Sequence, residues 1–124
     1  MLISDTKAII TGAASGLGEA TARVFRDAGA QVVIFDRDVE RGQKVAAEIG
    51  AGFTEVDVTD EASVQAGIEA AIAHMGGLNA SINCAGIAPA QKIVGREGAS
   101  PLADFKKVID VNLVGTYNIL RLAA

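Results

Sequence analysis

Thr11-Gly12-Ala13-Ala14-Ser15-Gly16-Leu17-Gly18 places three glycines between a short β-branched run and a helical pattern. A glycine at a strand end permits a tight turn. One at a helix start lets the backbone approach a pyrophosphate, and another allows close helix–strand packing. The exposed amides and helix dipole of such a turn favour an anion, by roughly 0.3–2 kcal/mol from the dipole alone. Replacing Gly12 or Gly18 with valine is expected to close the space that a pyrophosphate needs. An ordinary glycine-rich connection would carry the same three glycines, so a second feature has to decide. Asp36 lies 18 residues after Gly18, at the end of the next apolar run. A carboxylate there can accept both ribose hydroxyls of an adenosine. A 2′-phosphate at ~4 Å would meet a repulsion of ~1–4 kcal/mol, which selects NAD over NADP. Arg37 opposes this, as a neighbouring cation that could receive a 2′-phosphate. The bland role for Asp36 is to cap the helix that begins near Asp38.

These residues need elements to hold them. Lys7–Thr11 and Gln31–Asp36 read as buried strands, Gly52–Asp57 as a weaker one, and Leu78–Cys84 as a fourth. Between them run helical stripes. The first is Leu17, Ala20, Val24, Phe25 and Ala28, stopped by Gly29. The second is Val39, Gly42, Val45, Ala46 and Ile49. The third is Val64, Ile68, Ala71, Ile72 and Met75, opened by Asp60 as N-cap and closed by Gly76-Gly77. Residues 87–100 read as a loop, and Pro101 suits the first turn of a last helix running to the C-terminus. That helix is apolar nearly all round in its second half and expects cover on two sides. Alternating strands and helices predict an α/β fold, a single domain over 1–124 with a parallel sheet and helices on both faces.

Composition narrows the partners. The chain has 124 residues, a formal charge of −4 and 50% hydrophobic residues, which excludes a disordered chain. No basic run offers a footprint for nucleic acid. No apolar stretch reaches the roughly 20 residues that cross a membrane, and the N-terminus lacks the pattern of a signal peptide. One cysteine, Cys84, cannot form an internal disulfide and fits a reducing, cytoplasmic setting. No metal is expected.

The spacing TGxxxGxG, with Asp36, Asp57-Val58, Asn83-Cys84-Ala85-Gly86 and Asp110-Val111-Asn112-Leu113, resembles the short-chain dehydrogenase/reductase family. The match runs the length of the chain. The cysteine in the second position of the Asn-Asn-Ala-Gly motif is similar to the branch of type 2 3-hydroxyacyl-CoA dehydrogenases. So are the longer loop after Ala88 and the segment ending Gly115-Thr116-Tyr117-Asn118. The resemblance implies a Rossmann-type sheet of order 3-2-1-4 and an NAD-dependent oxidoreductase acting on small molecules such as acyl-CoA thioesters. It implies that Ser15 and Leu17 contact the pyrophosphate and nicotinamide side, and that Gly12, Gly16 and Gly18 form the turn. It further implies that Asp36 holds the ribose, that Asp57 and Val58 flank the adenine, and that Asn83, Cys84, Ala85 and Gly86 line the cofactor. Asn112 matches the family's catalytic-site asparagine, which fixes a helix kink and a water. The alternative for it is an asparagine satisfying broken helix hydrogen bonds. Cys84 is expected to be inert packing.

The family's Tyr, Lys and Ser lie beyond the matching positions, so the chain reads as the first half of such an enzyme, inactive alone. Tyr117, with Arg121 four residues on, is expected to be a packing residue, and His74 a solvated one at a helix end. Competing readings are a non-catalytic NAD-binding module, or a parent resembling 3-oxoacyl-carrier-protein reductases or sugar-alcohol dehydrogenases. The fourth strand's free edge and the apolar last helix lead us to expect a homo-oligomer.

Overall fold

The computed structural model describes residues 1–124. β1 (Lys7–Thr11), β2 (Gln31–Asp36), β3 (Gly52–Glu55) and β4 (Ala80–Asn83) form one parallel sheet in the order β3-β2-β1-β4. The register sets Ile9 beside Val33, Ile10 beside Ile82, and Phe35 beside Thr54. β1 and β2 are buried on both faces because each side of the sheet carries helices, which is why they read as continuous apolar runs. Their side chains alternate between two cores. Ala8, Ile10, Val32 and Ile34 pack with Ala22 of α1 (Gly16–Asp27) and with Val45 and Ala46 of α2 (Val39–Ile49). On the other face Ile9, Val33 and Phe35 pack with Val64, Ile68, Ala71 and Met75 of α3 (Glu61–Met75). Full burial of each larger chain is worth roughly 1.5–3 kcal/mol, so the central strands anchor both layers.

The helix boundaries follow local chemistry. Asp38 accepts from the Arg41 N–H at 3.0 Å and caps α2. Asp60 accepts from Ala62 and Ser63 N–H at 2.9 and 3.2 Å and caps α3, which Gly76 closes in the left-handed region.

Four details differ from the sequence reading. The buried residues of α1 are Gly18 and Ala22; of the stripe Leu17, Ala20, Val24, Phe25 and Ala28, Phe25 packs against the core, whereas Leu17 and Val24 are 82% and 62% exposed. The sheet accepts this helix only at close range, which small residues allow and large ones prevent. β3 and β4 stop short of Asp57 and Cys84, because these chain ends turn toward a groove instead of pairing. The 87–100 segment contains a two-strand hairpin, β5 (Val94–Gly95) and β6 (Gly98–Ala99), turned by Arg96-Glu97. Finally, the last helix is α4 (Leu102–Ile109) and α5 (Gly115–Ala123) joined by a π-helical segment, Asp110–Val114. It is covered on one side only. Ile119 is fully buried, whereas Phe105, Leu113 and Tyr117 are 63–67% exposed.

Candidate functional site

In the turn after β1, Gly12 and Ala14 N–H are taken by Phe35 and Asp36, but the first turn of α1 has no side-chain cap. Ser15 stands at the N-cap of α1 in an extended conformation but makes no side-chain capping bond, unlike Asp38 and Asp60. The free N–H groups of the first turn therefore face outward, which suits an anion. Gly12 and Gly16 adopt φ of +65° and +57°, where side chains are strained. The glycines have different tasks. A Cβ on Gly12 would lie 2.8 Å from the Cys84–Ala85 backbone, and one on Gly18 would strike the backbone of Gly12 and Ala13. Gly16 alone of the three faces open space. Valine at Gly12 or Gly18 would thus clash first with the protein's own backbone, whereas at Gly16 it would extend into open space.

That space is a groove of about 470 Å³ at the carboxyl ends of the strands. Gly12, Ser15, Gly16, Leu17, Gly18, Asp36, Asp57, Val58, Cys84, Ala85 and Gly86 all line it. It lies between β1 and β4, whose following helices run to opposite faces of the sheet, the crevice in which parallel α/β sheets take ligands.

Asp36 sits at the rim with both oxygens engaged. Oδ2 accepts from the Ala14 N–H at 3.0 Å and Oδ1 from the Asp38 N–H at 2.9 Å. The cap of α2 is Asp38, so Asp36 is left to the groove. Across from it, the Asp57 carboxylate accepts from the Thr59 hydroxyl at 2.6 Å and the Thr59 N–H at 3.0 Å. The Thr59 hydroxyl is the main reason that Asp57 stays below the usual carboxylate range; burial opposes it, and Arg37, 3.9 Å away, adds a little. Arg37 is thereby turned toward Asp57 while 70% of its side chain stays exposed.

The fourth strand is fixed by a residue that the sequence reading passed over. The buried Thr11 hydroxyl accepts from both Cys84 and Ala85 N–H, at 3.1 and 3.0 Å. Cys84 is half-buried and lines the groove wall rather than packing in the core. Asn83 is not brought to the groove. It shares a face of β4 with Ser81, to which its amide donates at 3.4 Å, and its Oδ1 is buried without a partner.

Asn112 lies in the π segment and uses its whole amide on one residue. Oδ1 accepts from the Ile87 N–H and Nδ2 donates to the Ile87 carbonyl, both at 2.8 Å. It neither lines the groove nor mends the helix; it clamps the chain leaving β4. Thr116 donates its hydroxyl to the Asn112 carbonyl at 2.8 Å. Two residues on, buried Asn118 donates to the Val58 carbonyl at 2.9 Å, another contact without a sequence signal. Tyr117 is 67% exposed and away from the groove, so it is not a packing residue within this chain. Arg121 instead contacts Asn118 and Glu61, at 2.9 and 3.0 Å. Lys107 and Val111 complete the groove from the helix. His74 is exposed in the last turn of α3.

The parallel order β3-β2-β1-β4, with a glycine-rich turn at its crevice, defines a Rossmann-type α/β protein. A family model for short chain dehydrogenase matches residues 6–124, and the chain belongs to that family. It is 41% identical to a 3-hydroxyacyl-CoA dehydrogenase type-2 of Drosophila melanogaster, over 99% of this chain and 50% of that one. It is 43% identical to a mitochondrial borneol dehydrogenase of Lavandula x intermedia, over 89% and 42% of the two chains. A solved 3-ketoacyl-(acyl-carrier-protein) reductase from Brucella melitensis, complexed with NADH, superposes with a TM-score of 0.88. That pair is 38% identical, covering 96% of this chain and 49% of the other. The chain spans about half the length of the relatives it matches.

Proposed function

We propose that residues 1–124 form one NAD-binding unit of an oxidoreductase whose whole length oxidises 3-hydroxyacyl-CoA thioesters to 3-oxoacyl-CoA. The observation that carries the cofactor reading is the pairing of an uncapped α1 N-terminus with a carboxylate, Asp36, on the rim of the same groove. The residues fit a dinucleotide. Gly16 faces open space and would let a pyrophosphate reach the free N–H groups, while Asp36 would accept ribose hydroxyls with its remaining lone pairs. Asp57 and Val58 would border the adenine, and Cys84 to Gly86 the path toward the nicotinamide. A bound nicotinamide supplies hydride transfer at its C4. Asn112 acts here as a positioning residue that fixes Gly86-Ile87 against the helix.

The acyl-CoA reading is supported by the type 2 relatives; the borneol and ketoacyl relatives define the alternatives, other alcohols and carrier-bound ketones. A non-catalytic NAD-binding role for these residues by themselves is the second reading; Tyr117, the one tyrosine in the sequence, is 67% exposed and lies outside the groove. We place the protein in a reducing compartment such as the cytoplasm, on the strength of the free thiol on the groove wall. The free edge of β4 and the exposed face of α4–α5 support self-association.

Fluorescence titration with NADH tests the cofactor reading. A saturable rise in emission, lost in a folded Gly16→Val protein, is expected; no saturable change would overturn it. Assays of 3-hydroxyacyl-CoA oxidation by the 124-residue chain and by a full-length parent would separate the two readings: the first requires turnover by the parent, and the second requires none by either.

A further inference from the structure

Asp36 is tied to more than the place where a ribose would sit. Its Oδ2 accepts from the Ala14 N–H, inside the glycine-rich turn, and Ala14 is only 2% exposed. Its Oδ1 accepts from the Asp38 N–H, at the entrance to α2. Its backbone carbonyl accepts from Val56 N–H at 3.1 Å, and the preceding Phe35 carbonyl accepts from Gly12 N–H at 2.8 Å. One short stretch at the end of β2 thus braces the turn after β1, the start of α2 and the segment leaving β3. Without the carboxylate, the buried Ala14 N–H has no acceptor, and buried donors are rarely left so.

We infer that Asp36 is also the positioning residue of the glycine-rich turn, holding it open for a pyrophosphate before any ribose arrives. This rests on the cofactor reading above and deepens it. The ribose end and the pyrophosphate end of the groove are then coupled through one side chain. Substitutions at Asp36 meant only to admit a 2′-phosphate also weaken the anion site next door.

Charge and position pull in opposite directions here, which makes the inference testable. Removing a carboxylate should strengthen binding of an anion by simple electrostatics. Removing a brace should weaken it. The probe is inorganic pyrophosphate, which has no ribose, followed by the amide NMR shifts of Ser15, Gly16 and Leu17 in the unmodified chain, Asp36→Ala and Asp36→Asn. We expect Asp36→Ala to weaken pyrophosphate at least about fivefold and to speed hydrogen exchange at the Ala14 amide at least about tenfold. Asp36→Asn retains one carbonyl acceptor and should fall between the two. Equal or tighter pyrophosphate binding in Asp36→Ala, with Ala14 still protected, would overturn the inference. So would an unchanged Ala14 exchange rate in Asp36→Ala, whatever the pyrophosphate affinity. If those results accompany a lost preference for NAD over NADP, the cofactor reading stands and only the bracing role fails. If the unmodified chain binds neither pyrophosphate nor NAD, both fail, and an accelerated Ala14 exchange in Asp36→Ala then cannot restore the coupling.

Discussion

At the scale of single residues, the three glycines of the turn separate packing from binding. Gly12→Val combines a φ of +65° with a backbone only 2.8 Å away, so it should cost about 2–6 kcal/mol from strain and overpacking together. Gly16→Val carries the strain but meets no neighbour, about 1–3 kcal/mol. Thermal melts should therefore show Gly12→Val strongly destabilised and Gly16→Val mildly so, with cofactor binding lost in the folded Gly16 variant. A Gly16→Val protein that binds normally would mean that the turn serves the fold alone. Asp57 gives a residue-level titration. Its carboxyl sits below its ordinary range chiefly through the Thr59 hydroxyl, so ionised Asp57 favours the folded state. That contribution is fully present above the unfolded carboxylate range and fades as pH drops through the lower folded value. Thr59→Val should raise the Asp57 titration toward the ordinary range in NMR and remove this acid-side gain. An unmoved titration would point to Arg37 or another source.

At the scale of elements, the clamp between the chain leaving β4 and the π segment shapes one wall of the groove. Asn112→Ala removes both bonds to Ile87 and leaves that backbone to water, a loss of about 1–3 kcal/mol. The melting temperature should fall roughly 4–12 °C, and cofactor affinity should weaken because Gly86 and Ile87 line the groove. Unchanged affinity with a lowered melting point would confine Asn112 to the fold. Much of this architecture is legible in the chain. β1 and β2 show as apolar runs because both their faces are covered, α3 because its aspartate cap and apolar stripe agree, and α2 by its stripe alone. What escapes is what periodicity does not encode. Leu17 and Val24 look like core, yet the close contact of α1 belongs to Gly18 and Ala22. The π segment leaves no stripe of its own, since its wider turn lies in backbone bonds such as Gly115 N–H to the Asp110 carbonyl, with the Thr116 hydroxyl on the Asn112 carbonyl. Thr11 and Asn118 act through hydrogen bonds to distant backbone, which depend on tertiary placement.

At the scale of the whole molecule, two surfaces are left open: the outer edge of β4 and the exposed side of α4–α5 with Phe105, Leu113 and Tyr117. Burying three such side chains is worth about 5–9 kcal/mol, enough to drive association once ordering costs are met. Sedimentation equilibrium should therefore show dimers or larger species at micromolar concentration; a persistent 12.7 kDa species would contradict this. The groove's position at the strand ends was foreseeable from the order of elements; the bracing of Ala14 by Asp36 was not, because it joins residues 22 apart in sequence. The central claim is that this groove takes NAD and disfavours NADP through Asp36. Calorimetric titration of the unmodified chain with NAD and NADP tests it most directly. We predict saturable binding of NAD at least about fivefold tighter than NADP, the low end of a ~1–4 kcal/mol repulsion, with the preference lost in Asp36→Ala; equal affinities, or a preference for NADP, would contradict it.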